Sequence, residues 1–155
     1  MKLTPTIVPT ESDKAYAAGF LDGEGCVSLY RRERTEHGRH GDYWTAQVGI
    51  AQVDPTPLLW LAERWGGYFR ASGVRRQSTH RQAYELQWHG RNAGVLLADL
   101  LPYLQVKKVQ AEALLRFIEL LRKPGRPKLG TGVNHSERDR LRLVIHEANH
   151  KEVVA

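Results

Sequence analysis

The 155-residue sequence predicts an α+β fold, on two observations. An apolar helical run is followed by a pair of strands with period-two alternation, and this helix-plus-hairpin unit comes twice before a long amphipathic helix. No sequence motif repeats between the two units, so the repetition lies in hydrophobic pattern alone.

Residues 14–23 follow a Ser-Asp pair suited to a helix start, and Ala15, Ala17, Ala18, Phe20 and Leu21 make a small-residue apolar helix bounded by glycines. Residues 26–34 alternate, with Val27 and Leu29 to one side and Ser28, Tyr30, Arg32 and Arg34 to the other, which predicts a half-buried strand with a basic outer face. Residues 35–42 read as a hairpin connection, and 43–52 as its second strand with Ala46, Val48 and Ile50 inward. Pro55 and Pro57 suit the first turn of a helix to about Trp65, which Gly66 and Gly67 stop. Residues 68–72 and 82–88 form the second strand pair, where Tyr84, Leu86 and Trp88 oppose Glu85 and Gln87, around a loop rich in arginine. Asn92 is expected to cap a helix to Leu101, and Pro102 interrupts it. Residues 107–122 form an amphipathic helix with Val109, Ala113, Leu114, Phe117, Ile118 and Leu121 on its apolar face. A basic linker at 124–134 and a short helix at 136–149 close the chain. The expected division is therefore a tail at 1–13, a core at 14–123 and an appendage at 124–155.

The chain is 41% hydrophobic, enough for one ordinary core, and its 23 Lys and Arg against 17 Asp and Glu give a net charge of +6. That balance favours a polyanionic partner such as nucleic acid. Cys26 is the only cysteine, which excludes an intramolecular disulfide and a cysteine zinc cluster. No stretch approaches the roughly 18 apolar residues of a membrane span. The expectation is a soluble protein of the cytoplasm or an organellar matrix, with no membrane partner.

Residues 17–25 read Ala-Ala-Gly-Phe-Leu-Asp-Gly-Glu-Gly, and this resembles the signature of the LAGLIDADG homing endonucleases. It keeps the two glycines, the two apolar positions between them, both acidic positions and the closing glycine, and differs at Ala17 and Glu24. The element order over residues 14–122 is also similar to that family's αββαββα core. The resemblance implies a saddle-shaped antiparallel sheet, extra helices at the carboxyl end, and an intron-encoded nuclease that cuts both strands of a long DNA site. Only one copy of the motif is present, where that family uses two, which implies a homodimer and a pseudo-palindromic target.

Gly19 and Gly23 lie four residues apart and so share one helical face, where the missing side chains permit close packing against an identical helix. Ala18, Gly19, Asp22 and Gly23 are the expected interface residues, with Asp22 capping or bridging rather than binding metal. Glu24 then falls near a twofold axis, where two carboxylates repel unless a divalent cation lies between or beside them. Mg²⁺ suits such oxygen ligands, held by Glu24 and the Gly23 carbonyl, and Mn²⁺ or Ca²⁺ would take the same place.

The resemblance further implies a polar residue at the end of the second strand and a lysine entering the last core helix beside the scissile phosphates. Gln52 and Lys107 match those positions, with Lys108 the competitor for Lys107, although Gln52 shares its strand phase with inward Val48 and Ile50. The outward residues by parity are Ser28, Tyr30, Arg32, Arg34, Tyr43, Thr45, Gln47, Arg70, Ser72, Glu85 and Gln87, a set chemically suited to base edges in the major groove. Arg75, Arg76 and Arg81 are expected on the phosphate backbone.

Two rival readings remain. The same fold could serve as a non-cleaving binder, an RNA maturase or DNA-binding regulator. Residues 146–150 read His-Glu-Ala-Asn-His, formally the zinc-peptidase pattern, but no third ligand follows and a solvated helix end is the expectation.

Overall fold

The computed structural model describes residues 1–34, 41–72, 81–121 and 135–150. Within them the chain runs β1 (Lys2–Leu3), α1 (Glu11–Glu24), β2 (Gly25–Arg34), β3 (Gly41–Gln52), α2 (Thr56–Trp65), β4 (Gly67–Ser72), β5 (Ala83–His89), α3 (Gly90–Leu100), a 3-10 turn (Leu101–Tyr103), α4 (Lys108–Leu121) and α5 (His135–Asn149). This is the predicted α+β class: αββαββα, framed by one short strand before and, after it, by the 3-10 turn and two helices, α4 and α5.

The strands form one antiparallel sheet in the order β1-β4-β5-β3-β2. One face carries Val27, Leu29, Ala46, Val48, Ile50, Leu86 and Trp88, all buried with Ala17, Leu21, Leu58, Leu97, Leu114 and Phe117 from the helices. Trp88 is fully covered, and its indole N–H donates to the Trp65 carbonyl at 3.1 Å, so the largest core side chain has its one polar atom satisfied. The opposite face is not covered by the helices of the core.

Several expectations are corrected. Helix α1 begins three residues before Lys14, because the Thr10 hydroxyl accepts from the Asp13 N–H while the Asp13 carboxylate accepts from the Thr10 N–H, a reciprocal cap. The expected four-stranded sheet has a fifth strand, since β1 pairs with Gly67 and Tyr68 of β4. Gly66 makes that possible: its φ of 64° disfavours other residues, and a Cβ there would sit 2.8 Å from the Leu3 carbonyl oxygen. Helix α3 starts at Gly90 directly out of β5, so Asn92 lies inside its first turn and caps nothing. On α4, Val109 and Leu121 are about half exposed while Gln110 is buried, because α5 packs along that side of the helix. The linker at 124–134 lies outside the described residues.

Candidate metal and nucleic-acid site

Helix α1 runs into β2 without a loop, and this junction places Glu24. The Gly25 N–H caps the helix by donating to the Leu21 carbonyl. A Cβ at Gly25 would lie 2.2 Å from Leu21 Cδ1 and 2.7 Å from Leu21 O, so the turn from helix to strand admits only glycine. Glu24 therefore sits at the rim of the outer sheet face, in a hollow of about 200 Å³ that it shares with Ser28, Tyr30, Gln47 and Glu85. Glu24 is exposed, and among the described residues no hydrogen bond or ion pair engages its carboxylate. The last turn of α1 carries no basic residue, so the carboxylate adds to the partial negative charge of the helix end rather than cancelling it.

A cation is brought to that end by Lys107, the residue that precedes α4. Lys107 Nζ donates to the Asp22 carbonyl oxygen at 2.5 Å, whereas Lys108 is exposed, which separates the two competing lysines by position. Asp22 is the reason Lys107 is there. Its carboxylate accepts the backbone N–H groups of Gln105 at 2.7 Å and Lys107 at 2.8 Å, closing the amino end of α4 from outside the helix. Replacing Asp22 by Ala leaves both donors without that acceptor, and we expect chemical denaturation to show a loss of about 1–3 kcal/mol.

Gln52 is not brought to this hollow. The register of β3 with β5 continues unbroken from Gln47↔His89 to Gln52↔Tyr84, with no bulge to turn the strand end, so Gln52 keeps the phase of Ile50 on the helix side. Gln47 lines the hollow instead.

The outer face of α1 is open along its length. Ser12, Tyr16, Gly19 and Gly23 are all exposed and share one helical stripe, and a Cβ built at Gly19 or Gly23 finds nothing within 4 Å. Ala18 is excluded from this surface: its exposure is 0%, and it packs in the protomer's own core. Asp22 is half buried and engaged with α4, as described.

The strand register gathers the expected reading residues on one face. Ser28 opposes Gln47, Tyr30 opposes Thr45, and Arg70 opposes Glu85, with Gln87 and Ser72 in the same phase. Arg32, Arg34 and Tyr43 hold register positions on that face, where the backbone alone is described. Arg81 is exposed, while Arg75 and Arg76 lie outside the described residues. Ser28 departs from expectation, being only 8% exposed, with its hydroxyl 3.3 Å from Cys26 Sγ. In the free protein the polar groups engage each other. Arg70 donates from Nε and Nη2 to Glu85 Oε2 at 2.9 and 2.7 Å, and Gln87 Nε2 donates to Glu85 Oε1.

Tyr68 and His89 also occupy this face, their rings edge to face at 5.7 Å. Burial, and then the Arg70 charge, hold the His89 imidazole below its ordinary range. Extending the strand parity by two residues from Arg70 and from Gln87 would have found both.

Among the described residues no group of three or more His, Cys, Asp or Glu could hold a metal ion. One protomer thus offers oxygen donors only, the Glu24 carboxylate and the Gly23 carbonyl, at the negative end of a helix. The His146 and His150 rings stack on α5 at 4.2 Å, with His150 Nδ1 2.7 Å from the His146 carbonyl.

No family model and no curated protein matches the sequence. Solved structures do match by shape. One is the homing endonuclease I-CvuI in complex with a DNA target, with a TM-score of 0.61 at 19% identity over 92% of this chain and 98% of that one. The archaeal intron-encoded homing endonuclease I-Vdi141I, complexed with DNA, matches with a TM-score of 0.65 at 16% identity over 94% of this chain and 87% of that one. The LAGLIDADG homing endonuclease I-GzeII, in complex with its DNA target, matches with a TM-score of 0.67 at 14% identity over 83% of this chain but 43% of its own. The chain thus spans nearly all of some neighbours and under half of another. With the glycine stripe on α1, the carboxylate at its end and the antiparallel sheet beside it, these likenesses establish that the chain has the LAGLIDADG homing-endonuclease fold.

Proposed function

We propose that this chain is a site-specific DNA endonuclease that acts as a homodimer and hydrolyses both strands of a long, pseudo-palindromic duplex with a divalent metal. The observation that carries the reading is the position of Glu24. An exposed carboxylate, with no partner among the described residues, ends the helix whose glycine stripe is open, at the rim of a polar sheet face. A second copy packed on Gly19 and Gly23 brings two such carboxylates towards one axis, an arrangement that favours a cation there.

The donors fit Mg²⁺, a hard cation that takes one or two carboxylates and completes its shell with water and phosphate oxygens. Glu24 and the Gly23 carbonyl would hold it, and Mn²⁺ or Ca²⁺ would suit the same oxygens. When bound, such an ion stabilises charge on the phosphate and lowers the pKa of water. The chain's own groups do the rest. Tyr30, Thr45, Gln47, Arg70, Glu85 and Gln87 orient the duplex by its base edges, and Arg70, Glu85 and Gln87 exchange their mutual hydrogen bonds for bonds to bases. Lys107, held beside the end of α1 by Asp22, places a positive charge where the scissile phosphate gains negative charge. Arg75, Arg76 and Arg81 take phosphate contacts that carry no base information.

The test is cleavage of a randomised duplex library in Mg²⁺, with the product ends sequenced. Enrichment of one pseudo-palindromic site supports the reading. Binding of a site without cutting would leave the fold as a nucleic-acid binder.

A further inference from the structure

Helix α5 runs antiparallel to β2 and is fastened to it at both ends. Near its start Arg31 Nη1 donates to both Asp139 carboxylate oxygens at 3.1 Å. Near its end Asn149 Nδ2 donates to the Val27 carbonyl at 2.9 Å and its Oδ1 accepts from Gln110, which satisfies an edge-strand carbonyl that water would otherwise take. Ile145, only 1% exposed, seats the helix between. The wall is therefore built before any ligand arrives.

Between this wall and β2 lies a second hollow of about 440 Å³. It shares Ser28 and Tyr30 with the Glu24 hollow, so the outer row of β2 is the ridge between the two. Its charge differs from that of its neighbour. Arg31, Arg142, His146 and His150 line it, and among the described residues no carboxylate does. The Arg142 guanidinium is poorly used inside the protein: its Nε is buried without a hydrogen bond, and its ion pair with Asp139 is 3.8 Å long.

Resting on the DNA reading above, we infer that this hollow seats a backbone phosphate of the duplex, beside the phosphate at Glu24, and that α5 belongs to the DNA-binding surface. A duplex lying on the outer sheet face and passing over Tyr30 brings its sugar-phosphate edge to the β2 margin, where Arg142 supplies charge and His146 supplies a ring N–H donor, the His150 Nδ1–H being engaged by the His146 carbonyl. Phosphate contacts of this kind act on all sequences alike and show in the salt dependence of binding.

The experiment measures affinity of the full-length protein for a non-specific duplex across a salt series, without metal. Arg142→Gln should weaken binding about three- to tenfold near 100 mM salt and flatten the slope of log K against log salt by about 0.9 for each phosphate that the variant no longer neutralises. His146→Glu puts a carboxylate into the hollow from an exposed position that the fold does not need, and should weaken binding at least as much. If Arg142→Gln proves unstable, the His146 variant decides. Arg81→Gln, at an exposed position assigned to the phosphate backbone, serves as the reference. Weakened binding in the Arg81 variant with parental affinity and slope in both α5 variants overturns the subsite and leaves the DNA reading intact. No binding of duplex by the parent overturns both.

Discussion

Glu24→Gln should abolish cleavage while leaving duplex binding within a few-fold of the parent. The carboxylate is the only acidic side chain that a protomer places at the end of α1 with no hydrogen bond or ion pair among the described residues. Gln keeps its shape but removes the charge that a divalent cation requires. A loss on the order of a thousandfold or more in the cleavage rate corresponds to about 4 kcal/mol of barrier. The fold should not suffer, because the substitution breaks no bond within the protomer and removes a negative charge from the negative end of a helix. A readout independent of DNA cutting follows from binding linkage. Mg²⁺ that binds only the folded protein raises the melting temperature with concentration, and the Gln variant should lose that response. A variant that still cuts at the parental rate would remove Glu24 from the chemistry and send the search for a metal ligand elsewhere.

Gly19→Leu should convert a dimer into monomers without unfolding them. Inside the protomer a Cβ at Gly19 meets nothing within 4 Å, and leucine is the better helix former by about 0.8–1 kcal/mol, so α1 itself gains. All of the cost then falls on the interface. Overpacking typically costs about 1–3 kcal/mol per site, and a twofold contact meets it twice, which weakens the dimer by roughly thirtyfold or more. Sedimentation at micromolar concentration would show the change of mass, and circular dichroism the unchanged helix content. Cleavage should fall with the dimer, since in the proposed function each protomer reads one half of the pseudo-palindromic site. A Leu variant that remains a dimer would place the interface on another surface.

The sequence by itself determined the element order, the faces of the sheet and the position of the acidic motif. Those features are local. A strand's period of two fixes that Ser28 and Tyr30 share a side, and a helix's period of 3.6 fixes that Gly19 and Gly23 do, whatever the rest of the chain does. Parity even carried the doubt about Gln52, and an unbroken register with β5 realised it. Only the tertiary structure decided what depends on residues far apart in the chain. Lys107 rather than Lys108 reaches α1 because Asp22, 85 residues away, accepts its backbone N–H. The two-residue strand β1 is too short to show a period and exists because Gly66 lets it pass close by. Ala18 looks like its glycine neighbour in the motif, but the core of its own protomer covers it. The buried arc of α4 turns from Val109 to Gln110 because Asn149 of α5 waits there, itself bonded to Val27 across 122 residues. Periodicity tells which side chains share a face. What covers that face is settled by packing between segments whose separation in sequence carries no pattern.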